Sequence, residues 1–416
     1  MPARPHVVIV DAYAPTQRLA EEFRAAGATL VRVQSTAEVP DFYRAPFDTD
    51  YYVEDIVHHG DLAATAAAVA AYRPVAVVAG GEISVELADA LSAWLHLPGN
   101  GVELSAARRD KYLMIETVKQ AGVAGARQAR IESEVDLVDW HTSIGGRIVL
   151  KPLRGAGGQG VFFCDTPQES AVAFARITAE PNLFSTRNIG AVAQEYLRGT
   201  EYMVNTVSRD GQHRVCEIWL TSRISANGVL DLSEIAYLLP RRGQVQDRLA
   251  DFAFDVLDAI GIAHGPAHVE IKITAAGPVL VEVGARICGA NLPYYAKLAH
   301  GQSQLDWTAT AYLDPDRFAR TYRDDVLEPL ACAFVALISP VDGILKQYRD
   351  LEGFRGLESF YDLRVFVRPG DRIARTVDDL TYPVVVVLMH ESEETVRRDA
   401  GTIRYADGVD FYELLP

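Results

Sequence analysis

The chain has little cysteine: Cys164, Cys216, Cys288 and Cys332 are scattered over 416 residues without a CxxC pair. That scarcity excludes a disulfide framework and a cysteine-based zinc site, and it assigns the four thiols to packing in a reducing compartment. Long apolar runs are also missing. Nothing approaches the roughly 18 residues needed to cross a bilayer, and PHVVIVDAY enters a short strand-like run without a basic leader. A cytoplasmic protein is expected. Positive charge is outnumbered, 40 Lys and Arg against 56 Asp and Glu, for a net charge of −16. Such a surface repels polyanions, which excludes nucleic-acid and anionic-membrane partners and leaves any anionic ligand to local cations. The first strand-to-helix turn, Asp11 to Thr16, contains no glycine, so the dinucleotide fingerprint is absent. No internal repeat or low-complexity segment is present.

What is present is enough apolar sequence, 49% of residues, to build about three units on the usual length prior. His6 to Val10, Thr16 to Ala26 and Thr29 to Val33 read as a β-α-β opening. A helix over Leu62 to Ala71, a strand over Val75 to Ala79 and a helix over Ser84 to Leu95 continue it as an open α/β layer. The carboxyl edge of such a sheet is where ligands bind, which puts Gly80, Gly81, Glu82 and Ser84 at a candidate site or, equally simply, in a turn and helix cap.

A helix is expected over Arg108 to Gly122, with an unusually basic start, ARRDKYL, that opposes the helix dipole and makes Lys111 a residue to explain. Strands Arg147 to Lys151 and Val161 to Cys164 bracket a loop with Gly155, Gly157, Gly158 and Gly160. Its bare backbone can surround a phosphate, with Lys151 beside it. It is no Walker loop, because Gly-Lys-Ser/Thr does not follow. Ala191 to Leu197, a turn at Gly199 and a strand carrying Glu201 come next, then a strand over Cys216 to Ile224. The helix Val245 to Ile260 shows Leu249, Phe252, Val256, Leu257 and Ile260 on one core stripe. From Asp314 onward, runs at Ala331 to Leu337, Leu363 to Val367 and Pro383 to Leu388 precede a helix from Ser392 to Asp399, and no site chemistry is evident there.

The stretch HVEIKITAAGPVLVEVGARICG, His268 to Gly289, reads as a hairpin. Val269, Ile271, Ile273, Val279, Val281 and Val283 fall on a dry face, and His268, Glu270, Lys272, Glu282 and Arg286 on a charged one. A turn centred on Ala276 sets Glu270 opposite Glu282 and His268 opposite Gly284. Facing carboxylates, roughly 4.5–5.5 Å apart at Cβ, repel one another and ask for a cation. Two hard oxygen donors favour Mg²⁺ or Mn²⁺ over zinc, although a solvated edge face would also carry glutamates.

The order is thus a lysine on a helix, a lysine beside a glycine flap, a Gly-x-Glu turn and a paired-glutamate hairpin ending in arginine. Together these features resemble the ATP-grasp superfamily, and within it the carboxylate–amine ligases of the L-amino-acid ligase, or dipeptide synthetase, type. The resemblance implies an ATP-grasp fold of α/β and α+β class. Its expected parts are an N-terminal open α/β (pre-ATP-grasp) domain over 1–105, a small subdomain with the flap over 106–190, a large subdomain with the metal hairpin over 191–313 and a C-terminal α+β extension over 314–416. It implies ATP and Mg²⁺ (or Mn²⁺) as cofactors, with Lys111, Lys151 and Gly155, Gly157, Gly158 and Gly160 on the phosphates. Gln194, Glu195 and Leu197 would lie at adenine, Glu201 at ribose, and Glu270 and Glu282 on the metal. Arg286 would serve the transferred phosphoryl group and the substrate carboxylate, with His268 beside it.

Many relatives carry Asn two residues after the second metal acid, where this chain has Gly284. The implied reaction joins an amino acid or similar carboxylate to an amino-acid amine through an acyl phosphate, releasing ADP and phosphate. His268 and Glu82 are both candidates for a base. Glu82, Gly289, Ala290 and Tyr294 are candidate substrate contacts, and the small pair would leave room for a bulky acyl side chain. Purine-pathway or carboxylase-type chemistry, and a nucleotide-binding protein without turnover, are the alternatives. The expected partners are small amino-acid or carboxylate substrates, and exposed strand edges in the tail leave room for a homodimer.

Overall fold

A computed structural model describes residues 4–182, 184, 188, 190–324, 328 and 330–416. The chain opens with β1 (His6–Val10), α1 (Gln17–Ala25), β2 (Thr29–Gln34), β3 (Tyr52–Val57), α2 (Leu62–Ala70), β4 (Ala76–Ala79) and α3 (Val85–Trp94). The four strands form a parallel sheet in the order β3-β2-β1-β4. Val7 and Ile9 pack with Leu19 and Phe23 of α1, while Val8 and Val10 pack with Ala66, Val69 and Leu91 of α2 and α3. Both faces are therefore covered, which is why β1 is an unbroken apolar run. Strand β3, absent from the sequence reading, is an edge strand with Val53, Glu54 and Asp55 exposed, so its pattern carries little apolar signal.

The second unit holds α4 (Lys111–Gln120), β5 (Gln128–Ile131), α5 (Glu134–Ile144), β6 (Ile148–Pro152), β7 (Phe162–Cys164), α6 (Pro167–Ala179) and β8 (Ala191–Glu195). Its sheet runs β5-β8-β6-β7 and is antiparallel throughout. Helix α4 starts three residues later than expected, because the Asp110 carboxylate caps it by accepting from the backbone N–H groups of Tyr112 and Leu113. Arg108 and Arg109 thus precede the helix and do not oppose its dipole. They reach instead to buried acids, Arg108 to Asp89 at 3.1 Å and Arg109 to Glu82.

The rest is built on β9 (Gly199–Arg209), β10 (Gln212–Ala226), β11 (Val229–Leu239), α7 (Gln244–Ala259), β12 (Gly265–Thr274) and β13 (Gly277–Gly284). Helices α8 (Leu292–His300), α9 (Gln304–Leu313) and α10 (Pro315–Thr321) follow, then β14 (Ala331–Ala336), β15 (Gly343–Tyr348), β16 (Phe360–Val365), β17 (Arg372–Ile373), β18 (Val384–His390), α11 (Glu393–Ala406) and β19 (Tyr412–Leu414). One eight-stranded sheet, β13-β12-β9-β10-β11-β14-β18-β16, crosses from the expected large subdomain into the expected extension without a break. Ile235 to Leu238 of β11 pair with Val335 to Cys332 of β14. The apolar stripe of α7 lies on β9, β12 and β13 in one core with Val204, Val269, Ile271 and Leu280.

Candidate functional site

The hairpin of β12 and β13 pairs His268 with Gly284, Val269 with Val283 and Glu270 with Glu282, as the sequence register requires. A β-bulge then intervenes, so Ile271 faces Leu280 and Thr274 faces Gly277. The turn is the two-residue link Ala275–Ala276, and Gly277-Pro278 already belongs to the strand. The extra residue inverts the parity beyond Glu282: Leu280 joins Val283 in the core, and Val281 lines the site instead of the dry face. Only the half of the hairpin nearest Glu270 obeys simple alternation.

Beside this face is a cavity of about 190 Å³. Lys111, Lys151, Glu201, His268, Glu270, Glu282 and Arg286 line it, as do Gln194, Glu195 and Leu197 and the flap residues Gly155, Gly157 and Gly158. Gly157, Gly158 and Gly160 have φ of +66°, +73° and +72°, a region that side chains rarely adopt, so the flap needs its glycines. Gly160 sits against Pro152 at the base of the flap, where a β-carbon would come within 2.9 Å of Pro152 Cγ. Val149, Val161, Phe163 and Val281 contribute to the apolar part of the lining.

The two acids do not face each other without a counter-charge. Lys111 Nζ donates to Glu282 at 2.7 Å and to the Gly155 carbonyl at 3.2 Å. His268 Nε2 lies 3.2 Å from Glu270 Oε1. Burial opposes ionisation of Glu270, but His268, Arg223 and Lys151 overcome it and hold the carboxyl at about 2. His268 is likewise disfavoured as a cation by burial, yet Cys288 and Glu270 hold it up at about 10. Lys151 differs. It is 7% exposed, and its ammonium has no hydrogen-bond or ion-pair partner among the described residues. Burial pulls it down to about 8, with Lys111 adding to the effect and Glu282 and Glu270 opposing it.

At the far end Arg286 Nε donates to Glu82 at 2.8 Å, and Arg109 binds the other oxygen of the same carboxylate. Burial would raise Glu82, but Arg109 and Arg286 bring it to about 2, so it remains an anion and is a poor proton acceptor at neutral pH. Gly284, where an asparagine was expected, has a spatial reason. A β-carbon there would lie 3.2 Å from Arg286 Cζ and 3.3 Å from Glu82 Oε2. The missing side chain gives the Arg286–Glu82 pair its room.

Glu82 reaches the cavity only through Arg286, and Gly289, Ala290 and Tyr294 do not line it. The Tyr294 ring lies under Arg18 of α1 at 4.2 Å and edge-on to Tyr295. Among the described residues, no three His, Cys, Asp or Glu side chains are arranged to hold a metal ion. Glu270 and Glu282 thus offer a two-carboxylate donor set. That fits Mg²⁺, which takes one or two carboxylates and completes its shell with water and phosphate oxygens.

Several contributors escaped the sequence reading. Arg223 pairs with Glu201, and Lys272 lies 3.0 Å from Asp231 and 3.5 Å from Glu201. Arg223 lies on a strand read without site residues, whereas Lys272 is expected on the charged face of the hairpin and only its partners are new. The segment once read as free of site chemistry also enters: Val377, Asp378 and Asp379 line the cavity, and Leu380 abuts the flap at Gly157. No local motif marks that loop, because it reaches the site only through the pairing of β14 and β18 with the main sheet.

Comparison with known proteins gives the family and the fold. A family model described as ATP-grasp domain matches residues 144–293. Dapdiamide A synthase of Enterobacter agglomerans is 32% identical over 98% of this chain and 97% of its own length. An L-arginine-specific L-amino acid ligase of Bacillus subtilis is 20% identical over 71% of this chain and 70% of that protein. Among solved structures, an L-amino acid ligase from Bacillus licheniformis superposes with a TM-score of 0.77 at 18% identity, covering 100% of both chains.

Proposed function

Because the chain belongs to the ATP-grasp ligases of the L-amino-acid ligase type and is an ATP-dependent carboxylate–amine ligase, we propose the following division of labour at its cavity. Adenine lies against Gln194, Glu195 and Leu197, and the ribose lies toward Glu201. The phosphates meet Lys151 and Lys111 under the Gly155–Gly160 flap. The observation that carries this reading is Lys151: a buried ammonium open to a cavity, with no acid bonded to it among the described residues, is stabilised by an incoming anion beyond what Glu282 and Glu270 supply at longer range. Lys111, which bonds Glu282 here, would be free to meet phosphate if Glu282 held Mg²⁺.

Mg²⁺ on Glu270 and Glu282 would supply charge neutralisation at the phosphate oxygens. Arg286 holds the substrate carboxylate and the transferring phosphoryl group with the part of its planar fork not bonded to Glu82 and the Ile287 carbonyl. Flap closure excludes the water that would hydrolyse an acyl phosphate. Of the two base candidates His268 is the one that touches the cavity, but held up at about 10 beside Glu270 it stands as a cation at neutral pH and would offset charge there rather than accept a proton. The substrates are an amino acid or similar carboxylate and an amine-bearing amino acid. A homodimer through the tail's strand edges is part of the proposal and is checked by sedimentation.

The test is phosphate release over pairs of amino acids with ATP and Mg²⁺, followed by mass analysis. The expected outcome is phosphate release that depends on both amino acids and a condensed product one water lighter than their sum. Tight ATP binding with no phosphate release across the panel would instead favour a protein without turnover.

A further inference from the structure

A second row of polar groups runs behind the reacting face, and nothing above uses it. Asn205 on β9 lies directly opposite Glu217 on β10 and, on its other side, opposite His268 on β12. Residues opposed across neighbouring strands project to the same face. A β-bulge between Val215 and Glu217 puts Glu217 in that register. The three side chains are bonded in line. Asn205 Nδ2 donates to Glu217 Oε1 at 3.1 Å, and Asn205 Oδ1 lies 2.7 Å from His268 Nδ1. The other Glu217 oxygen accepts from the backbone N–H of Gln304, the first residue of α9, at 3.1 Å. The Gln304 side chain in turn donates to the carbonyls of Thr206 and Ala267, which flank the row on β9 and β12.

Asn205 and Gln304 are 0% exposed and Glu217 is 2% exposed. Burying a carboxyl group there is costly unless its hydrogen bonds do something that an apolar residue cannot. What they fix is direction. With Asn205 Nδ2 committed to Glu217, its oxygen faces His268 Nδ1. The ring is then held with Nε2 toward Glu270 and the cavity.

We infer that Glu217 and Asn205 are positioning residues for His268, forming a rigid row from the start of α9 to the cavity that sets the plane of the imidazole and the nitrogen it presents. The inference rests on the role given to His268 in the proposed function. It predicts that outer partners matter as they do behind other orienting histidines, where their loss costs about 10–100-fold.

The test is a double-mutant cycle read by steady-state kinetics. Glu217→Gln keeps the shape but offers one acceptor where two donors converge. It is expected to lower kcat about 10–100-fold with the KM for ATP within about twofold of wild type. In a His268→Ala background the same substitution should have no further effect, because the row then has nothing to position. Asn205→Leu, which removes both ends of the link, should match Glu217→Gln and should likewise have no further effect in the His268→Ala background. An equal loss from Glu217→Gln in both backgrounds, or a loss carried by the KM for ATP, would overturn the row as a positioning device. His268→Ala at the wild-type rate would overturn the role of His268 itself, and that single variant separates the two failures. If Glu217→Gln does not fold, Asn205→Leu decides: an equal loss with His268 and with His268→Ala overturns the inference.

Discussion

The two ends of the cavity hold their cations in opposite ways. Lys151 is buried and has no acid bonded to it among the described residues. Arg286 is half-buried and bonded to Glu82, a carboxylate that Arg109 also shares. An anion arriving at Lys151 meets an ammonium that Glu282 and Glu270 attract only at longer range. One arriving at Arg286 must share a guanidinium already held in place. The first end is built for affinity and carries its cost in the empty protein. The second is built for orientation, since the Glu82 pair fixes the fork before the substrate arrives.

The sharpest break of that contrast is Lys151→Met. Removing an uncompensated buried charge should leave the melting temperature of the ligand-free protein unchanged or higher. ATP affinity measured by calorimetry should fall at least ~100-fold, about 2.8 kcal/mol at 1.4 kcal/mol per decade. A lowered melting temperature with unaltered ATP binding would show that Lys151 is structural. Arg286→Ala should behave in the complementary way. ATP binding should persist while amide formation slows by about 10²–10³, and near-wild-type turnover would remove Arg286 from the chemistry.

Why one end was legible and the tail was not follows from how each is encoded. Lys151 lies beside its glycines in sequence, and Glu270 and Glu282 are brought opposite one another by a local hairpin, so pattern and register are sufficient. That local logic holds even where it is interrupted. The bulge after Glu270 moved Leu280 into the core and Val281 to the cavity without disturbing the glutamate pair. Arg223, Lys272 and Asp379 depend on pairings between strands far apart in the chain, which a period-two pattern cannot specify. The basic start assigned to α4 failed for a related reason. Asp110 was a capping residue, and the arginines before it belonged to Asp89 and Glu82, which lie in the first unit. Gly289, Ala290 and Tyr294 were chosen by volume and proximity in sequence to Arg286, but the chain turns away after Arg286 and packs Tyr294 beside α1.

The contrast also has a pH signature. Lys151 is held at about 8 by burial and by Lys111, below its ordinary 10.5. Between those values the unfolded chain binds the proton that the folded one has released, so folding stability rises with pH at up to ~1.4 kcal/mol per unit for this group. Below about 8 that contribution is absent. ATP affinity should move the other way, weakening as pH rises through 8 and the ammonium loses its charge. His268, raised to about 10, contributes the opposite slope, so the Lys151 signature is the difference between wild type and Lys151→Met: across pH 8 to 10 that difference should rise in denaturant melts and fall in ATP titrations. Parallel slopes of wild type and variant would place the titration elsewhere.

The smallest expected effect belongs to the tail loop. A β-carbon on Gly157 would lie 3.1 Å from Leu380 Cδ2, and one on Gly158 would lie 3.7 Å from the Asp378 β-carbon, so the loop rests on the tip of the flap. Leu380 is itself 41% exposed, which limits what its contact contributes to roughly 1 kcal/mol or less. Leu380→Ala should raise the KM for ATP about two- to fivefold and leave kcat within about twofold. Phosphate release without amide product should increase, because a flap that closes less completely admits water to the acyl phosphate. Release and amide formation falling together by tens of fold would mean that the loop shapes the phosphate end itself. An unchanged ratio of the two would mean that the flap seals without the tail, and the difference between the two ends would then be set by the strand and flap around Lys151 and by the Glu82 pair alone.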